Sequence, residues 1–317
     1  MANKAGHRRF GTVRQRPSGR WQARYPGPDG RLHSAPETFE RKRDAERYLI
    51  LVESAMARNE WIDPAGMKIR LGDYAARWVE QRAGLRPRTV QLYRWTLKKH
   101  ITPYLGDVPL GRLDTSLIRE WRARLLAEGV SRGMAAKAYR LLRAVLWTAV
   151  KEDELLARNP CRIPAADKET PAERPHLTME QLADLTDAVP DRYRLMILLA
   201  AFASLRFGEI TALQRRDLDL EGATVRVRHQ FLEVRGQGLV LGPPKSRAGT
   251  RLVAIPAALL PLLRSHVEQF VNPTGSALIF TTSTGSPIRR SSFNKFVNWR
   301  TAVESIGVPS LHFHDLR

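Results

Sequence analysis

Apolar and polar positions alternate in short runs at the start of the chain. In "RRFGTVRQRPSGRWQARYPGPDGRLHSAPETF", β-prone stretches are separated by Pro17-Ser18-Gly19 and Pro28-Asp29-Gly30, which predicts about three antiparallel strands. After Phe39 the period lengthens. Tyr48, Val52 and Met56 recur every fourth residue, as on one face of a helix, so residues 1–64 read as a small sheet-plus-helix domain.

From residue 69 to 160 the pattern is helical throughout. "LGDYAARWVEQRA" places Tyr74, Trp78 and Val79 on one stripe. "RPRTVQLYRWTLKKHITPYLG" predicts a second helix entered at Pro87 and stopped by Pro103. "TSLIREWRARLLAEG" predicts a third, capped by Thr or Ser and ended by Gly129. A fourth turns Met134, Ala138, Leu142 and Val145 toward a core, giving a compact four-helix bundle. Four prolines between 160 and 175 break the pattern and predict a linker over 161–175. Residues 176–317 are mixed α+β. A capping box at Thr178 and Gln181 opens helices at 178–188 and 191–204; β-prone runs follow, then helices near 257–270 and 291–306. The fold class expected is therefore multidomain and mainly α.

Composition adds one strong constraint. With 52 Lys+Arg against 32 Asp+Glu the chain carries a formal charge of +20, densest between residues 65 and 160, which predicts a polyanionic partner contacted by several modules. No membrane partner is expected, because the longest apolar run, residues 195–205, is too short to cross a bilayer. The first residues lack the apolar stretch of a signal peptide, and the single cysteine, Cys161, suits a reducing cytoplasm.

Three stretches carry candidate chemistry. In "AAFASLRFGEITALQRRDLDL" an apolar helix runs into Arg206, a charge that needs an anionic partner; Glu209 or Asp217 is the structural candidate. "GPPKSRAGTRLVAIP" places Lys245 in a turn between β-prone runs, where a solvated hairpin lysine is the plain alternative. The closing "HFHDLR" sets His314 and Arg317 three apart on one helical face, which by itself is equally a helix-end charge pair.

Taken in order, "ASLRFGEI", the hairpin lysine and "HDLR" resemble the signature of the tyrosine recombinase (phage integrase) family, as does the "L-x-x-x-D-L-D" stretch from Leu213 to Asp219. The likeness extends over the whole chain: residues 1–64 resemble an arm-site DNA-binding domain, 69–160 a helical, SAM-like core-binding domain, and 176–317 the catalytic domain. Ser204 departs from the pattern, which often has glycine there. The resemblance implies site-specific DNA cleavage and rejoining through a 3′-phosphotyrosine, with double-stranded DNA as partner at core-type and arm-type attachment sites. It also implies a homotetramer on paired sites and a place in the prokaryotic cytoplasm, at the nucleoid. It implies that Arg206 and Arg317 clamp the non-bridging phosphate oxygens, that Lys245 protonates the leaving 5′-oxygen, and that His314 shares proton transfer or holds the phosphate. Transesterification conserves bond energy, so no cofactor and no metal are expected.

The seven tyrosines all precede Arg206, whereas the family's nucleophile follows the H-x-x-R box. The expectation is thus a catalytic domain cut off after that box, in a chain that binds DNA without cutting it. A non-catalytic remnant or regulator occupying attachment sites is the alternative. Expected DNA contacts are Arg14, Arg16, Arg20 and Arg24 on the sheet, Arg88, Thr89, Lys98 and Lys99 at helix ends, and the Lys137/Arg140 strip; a solvated charged face is the plain reading of each.

Overall fold

The computed structural model describes residues 10–58, 61–169, 173–234, 236–244 and 246–317, with Arg247 described by its backbone alone. The chain forms two compact units, Met1–Pro171 and Ala172–Arg317. It is mainly helical, with small antiparallel sheets.

In the first unit, β1 (Thr12–Gln15), β2 (Trp21–Pro26) and β3 (Leu32–Ser34) form a meander whose register sets Arg14 opposite Gln22 and Arg24 opposite both Thr12 and Ser34. Side chains of one strand alternate between faces. Ala23 and Tyr25 therefore turn inward against Leu49 and Val52 of α1 (Lys42–Ala57), while Arg14 and Arg24 share the outer face. Tyr48 and Met56, expected to lead the buried stripe of α1, flank it instead; Ala45, Leu49 and Val52 form its centre.

The bundle comprises α2 (Leu71–Gln81), α3 (Pro87–Thr96), the short α4 (Thr102–Leu105), α5 (Thr115–Ala127) and α6 (Arg132–Lys151). Pro103 does not stop the second helix as expected. A π-helical turn at Leu97–Ile101 shifts the backbone register, so proline enters at the start of α4, where its missing N–H leaves no bond unmade. Asp114, rather than Thr115 or Ser116, caps α5, accepting the Leu117 N–H at 2.8 Å, and Gly129 ends that segment at φ +83°. Residues 161–169, expected to belong to a free linker, pack on the bundle instead. Cys161 and Ala166 are buried in its core, and the Ile163 N–H donates to the Tyr139 hydroxyl at 2.9 Å. Proline blocks helix here but not burial.

In the second unit, the capping box at Thr178 and Gln181 opens α7 (Met179–Asp187). The next helix, α8 (Asp191–Ala203), is apolar on nearly every side and is central to the core. Then come α9 (Phe207–Ile210), the sheet β4 (Leu218–Asp219), β5 (Thr224–Val227), β8 (Arg251–Ala254), the hairpin β6 (Gln230–Val234) and β7 (Gly238–Gly242), and α10 (Leu260–Phe270). The helix expected at 291–306 is two, α11 (Arg290–Phe296) and α12 (Trp299–Ser305), broken where Asn298 takes φ +47°, a left-handed conformation asparagine tolerates.

Gly208 is the point where α9 meets the β6–β7 hairpin. A Cβ there would lie 2.6 Å from the Phe231 carbonyl oxygen of β6, so only glycine permits the approach. Gly208→Ala is expected to cost about 1–3 kcal/mol of stability by overpacking, read as a lowered Tm of the second unit.

Candidate active site

The chain leaves α8 through Ser204, at φ +50° and ψ +34°. This left-handed residue is where the pattern often has glycine, and the conformation supplies the physical reason. The bend buries Leu205 completely and delivers Arg206 in an extended conformation at the mouth of α9. Glu209, one turn on, accepts from the Arg206 backbone N–H at 3.0 Å and from Arg206 Nη1 at 2.9 Å.

Glu209 also holds Arg251 of β8, whose Nη1 and Nη2 donate to its two oxygens at 3.1 and 2.9 Å. The Glu209 side chain is 1% exposed and that of Arg206 is 48% exposed. One buried carboxylate thus orients two arginines and leaves Arg206 open to a further anion. Burial alone would raise the Glu209 pKa, but the bonds from Arg251 and Arg206 overcome it and hold the group below its ordinary value. Of the two expected partners, Glu209 is the one that satisfies Arg206; Asp217 pairs with Arg228 at 3.0 Å.

Arg317 arrives from the far end of the unit. Its Nε donates to the Ser204 carbonyl at 2.9 Å, so the bend that aims Arg206 also anchors Arg317. Burial, then repulsion from Arg206, lowers the Arg317 pKa. Aromatic packing joins the two segments. Phe207, next to Arg206, meets Phe313, next to His314, edge to face at 5.1 Å, and Phe293 of α11 packs against both at 5.4 and 5.3 Å.

His314 lies on the single turn Phe313–Leu316. Its pKa is lowered by burial first and then by the cations Arg317 and Arg174, which favours the neutral imidazole. His314, Arg317, Ser204, Asp315, Arg174, Pro175 and His176 line a cavity of about 410 Å³. Lys245 lies outside the described residues. Sequence reasoning missed Arg251, Arg174 and also Arg290, which stacks over Phe207 and Phe313 at 5.3 and 5.9 Å. The strand alternation around Arg251 carried no hint of its partner, because Glu209 lies 42 positions away.

The remaining basic residues divide. Arg14 and Arg24 share the outer sheet face, and Arg16 sits in the hairpin turn beside it. Arg20 leaves that row, since its Nε bonds Thr38 Oγ1 at 2.8 Å. Arg88 is exposed on α3 with Thr89 partly covered, and Lys98 and Lys99 are exposed within the π turn rather than at a helix end. Lys137 and Arg140 both turn to Glu169, Lys137 at 3.7 Å, and Arg140 also donates to the Asp167 carbonyl at 2.7 Å; this strip is engaged within its own unit. Among the described residues, no helix is long and apolar enough to cross a membrane.

Comparison with known proteins identifies the family. Residues 175–317 match the phage integrase family, 70–126 the N-terminal SAM-like domain of phage integrases, and 9–58 a phage integrase N-terminal domain. The putative prophage phiRv2 integrase of Mycobacterium tuberculosis is 39% identical over 329 aligned positions, covering 100% of this chain and 84% of that protein. The chain belongs to the phage integrase family. Among solved structures, the Tn1549 transposon integrase in complex with circular intermediate DNA aligns with a TM-score of 0.70 at 19% identity, over 78% of this chain and 84% of that one. The lambda integrase tetramer bound to a Holliday junction aligns at 0.55 and 18%, over 96% and 88%. At those identities the integrase likeness is one of fold, and it matches the mainly α, multidomain architecture expected from the sequence.

Proposed function

We propose that the protein is a site-specific DNA recombinase of the tyrosine type, integrating or excising a mobile element. The carrying observation is the pair Arg206 and Arg317, anchored through Glu209 and the Ser204 carbonyl at the same bend, with His314 beside Arg317 in the cavity. Two fixed guanidinium forks suit the charge that gathers on phosphate oxygens during phosphoryl transfer. A tyrosine oxygen attacks phosphorus, a 3′-phosphotyrosine forms and the 5′-oxygen leaves with a proton; a 5′-hydroxyl of another strand then reverses the step. Lys245 is assigned delivery of that proton, and neutral His314 donates a hydrogen bond to the phosphate or relays the proton.

The seven tyrosines precede Arg206, and none lines the cavity. None of the seven is therefore assigned as the nucleophile. Arg14, Arg16 and Arg24 are assigned to arm-type sites, and Arg88, Thr89, Lys98 and Lys99 to core-type sites. Arg20, Lys137 and Arg140 keep a weaker claim, given their internal bonds. A homotetramer on paired sites draws support from the DNA-bound lambda integrase tetramer of like fold, and a place in the cytoplasm at the nucleoid completes the proposal.

The test uses a nicked duplex from the attachment region, in EDTA and without nucleotide. The integrase is expected to yield a protease-sensitive protein–DNA adduct, and binding is expected to weaken steeply with salt. Cleavage that requires a divalent metal, or an adduct mapped to one of the seven tyrosines, would contradict the proposal.

A further inference from the structure

The turn that carries His314 and Arg317 is only four residues long, Phe313–Leu316, too short to be held by its own backbone bonds. Asp315 closes it. Its Oδ2 accepts the His312 N–H at 2.8 Å and faces His312 Nδ1 at 3.3 Å, while Oδ1 accepts from Arg174 Nη1. The Asp315 side chain is 1% exposed and that of Arg174 is 61% exposed. An ion pair with both partners in water contributes little, but removing one partner from a buried carboxylate leaves that charge with less compensation.

Arg174 is suited to hold such a geometry. It precedes Pro175, which confines it to extended backbone, and the capping box at Thr178 pins the chain just beyond. Its neighbours Pro175 and His176 line the same cavity as His314 and Arg317.

We propose that Arg174 is a positioning residue of the active site: its ion pair with buried Asp315 fixes the turn that presents His314 and Arg317 to a phosphate. This rests on reading the cavity as a phosphate site. The segment entering the second unit thereby becomes one wall of that site, and the aspartate of "HDLR" acquires a role of its own.

The test follows His314 by NMR, its signal assigned with His314→Asn, against pH and against inorganic phosphate at constant ionic strength. His314 faces Arg317, Arg174, Asp315 and, from α11, Arg290. Arg174→Ala removes a cation and frees the Asp315 carboxylate, so the His314 midpoint is expected to rise. Phosphate affinity is expected to fall about tenfold, as when an orienting partner is lost. Arg174→Lys is expected to recover most of both, and Asp315→Asn to weaken phosphate binding like the alanine variant. Wild-type values of both readouts in Arg174→Ala, with or without a lowered Tm, would overturn the proposal; should that variant not fold, Asp315→Asn with wild-type phosphate affinity would do so. Absence of any phosphate response at His314 in the unmodified protein would instead defeat the phosphate-site reading, and the pH midpoints would still decide whether Arg174 positions the turn.

Discussion

Replacing Arg317 with alanine is expected to slow strand cleavage by the integrase about 10²–10³-fold, roughly 3–4 kcal/mol of transition-state stabilisation. DNA affinity should change little, because one phosphate contact among many is lost. The same holds for Arg206→Ala. Lysine should rescue neither, since a point charge cannot reproduce a planar fork held by Glu209 on one side or by the Ser204 carbonyl on the other. Single-turnover cleavage beside equilibrium binding separates these effects. A loss of affinity equal to the loss of rate would mean that the arginines serve binding alone.

The second large effect belongs to Glu209, whose side chain is buried between Arg206 and Arg251. Glu209→Ala leaves Arg251, 27% exposed in its side chain, without the carboxylate it grips through both nitrogens. Leaving both partly exposed arginines without their shared carboxylate is expected to cost about 1–3 kcal/mol, so the second unit should melt below the wild type. The pH dependence has a definite sign. Because folding depresses the Glu209 pKa, its contribution is present above the ordinary carboxylate value and is lost as pH falls through the folded one. Glu209→Gln should therefore remove part of the acid sensitivity of the wild-type Tm. A variant that melts like the wild type, with the same slope against pH, would show that Arg206 and Arg251 find other partners.

What was legible in the sequence was local. Arg206 ends an apolar helix and His314 and Arg317 lie three apart, features that gained meaning only in their order along the chain; local periodicity likewise placed most helices. What was illegible depends on contacts between distant positions. Nothing near Arg251 or Arg174 announces Glu209 or Asp315 as a partner. Pro103 reads as a helix stop, and only the π turn before it shows how the helix absorbs a proline. The proline-rich stretch after Pro160 reads as a linker because composition records what cannot be helical, while its packing against Tyr139 is set by tertiary fit. Ser204 reads as a minor departure until its φ shows that the backbone bend itself aligns both arginines.

Arg206, His314 and Arg317 are expected to converge on a single phosphate. Tungstate, a phosphate mimic with strong anomalous scattering, can be soaked into crystals of the protein to locate that position. One ion is expected within hydrogen-bond reach of both guanidinium groups, about 3 Å from each, and beside His314. An ion bound at only one of the two arginines, or tungstate found only elsewhere on the basic surface, would contradict the convergence.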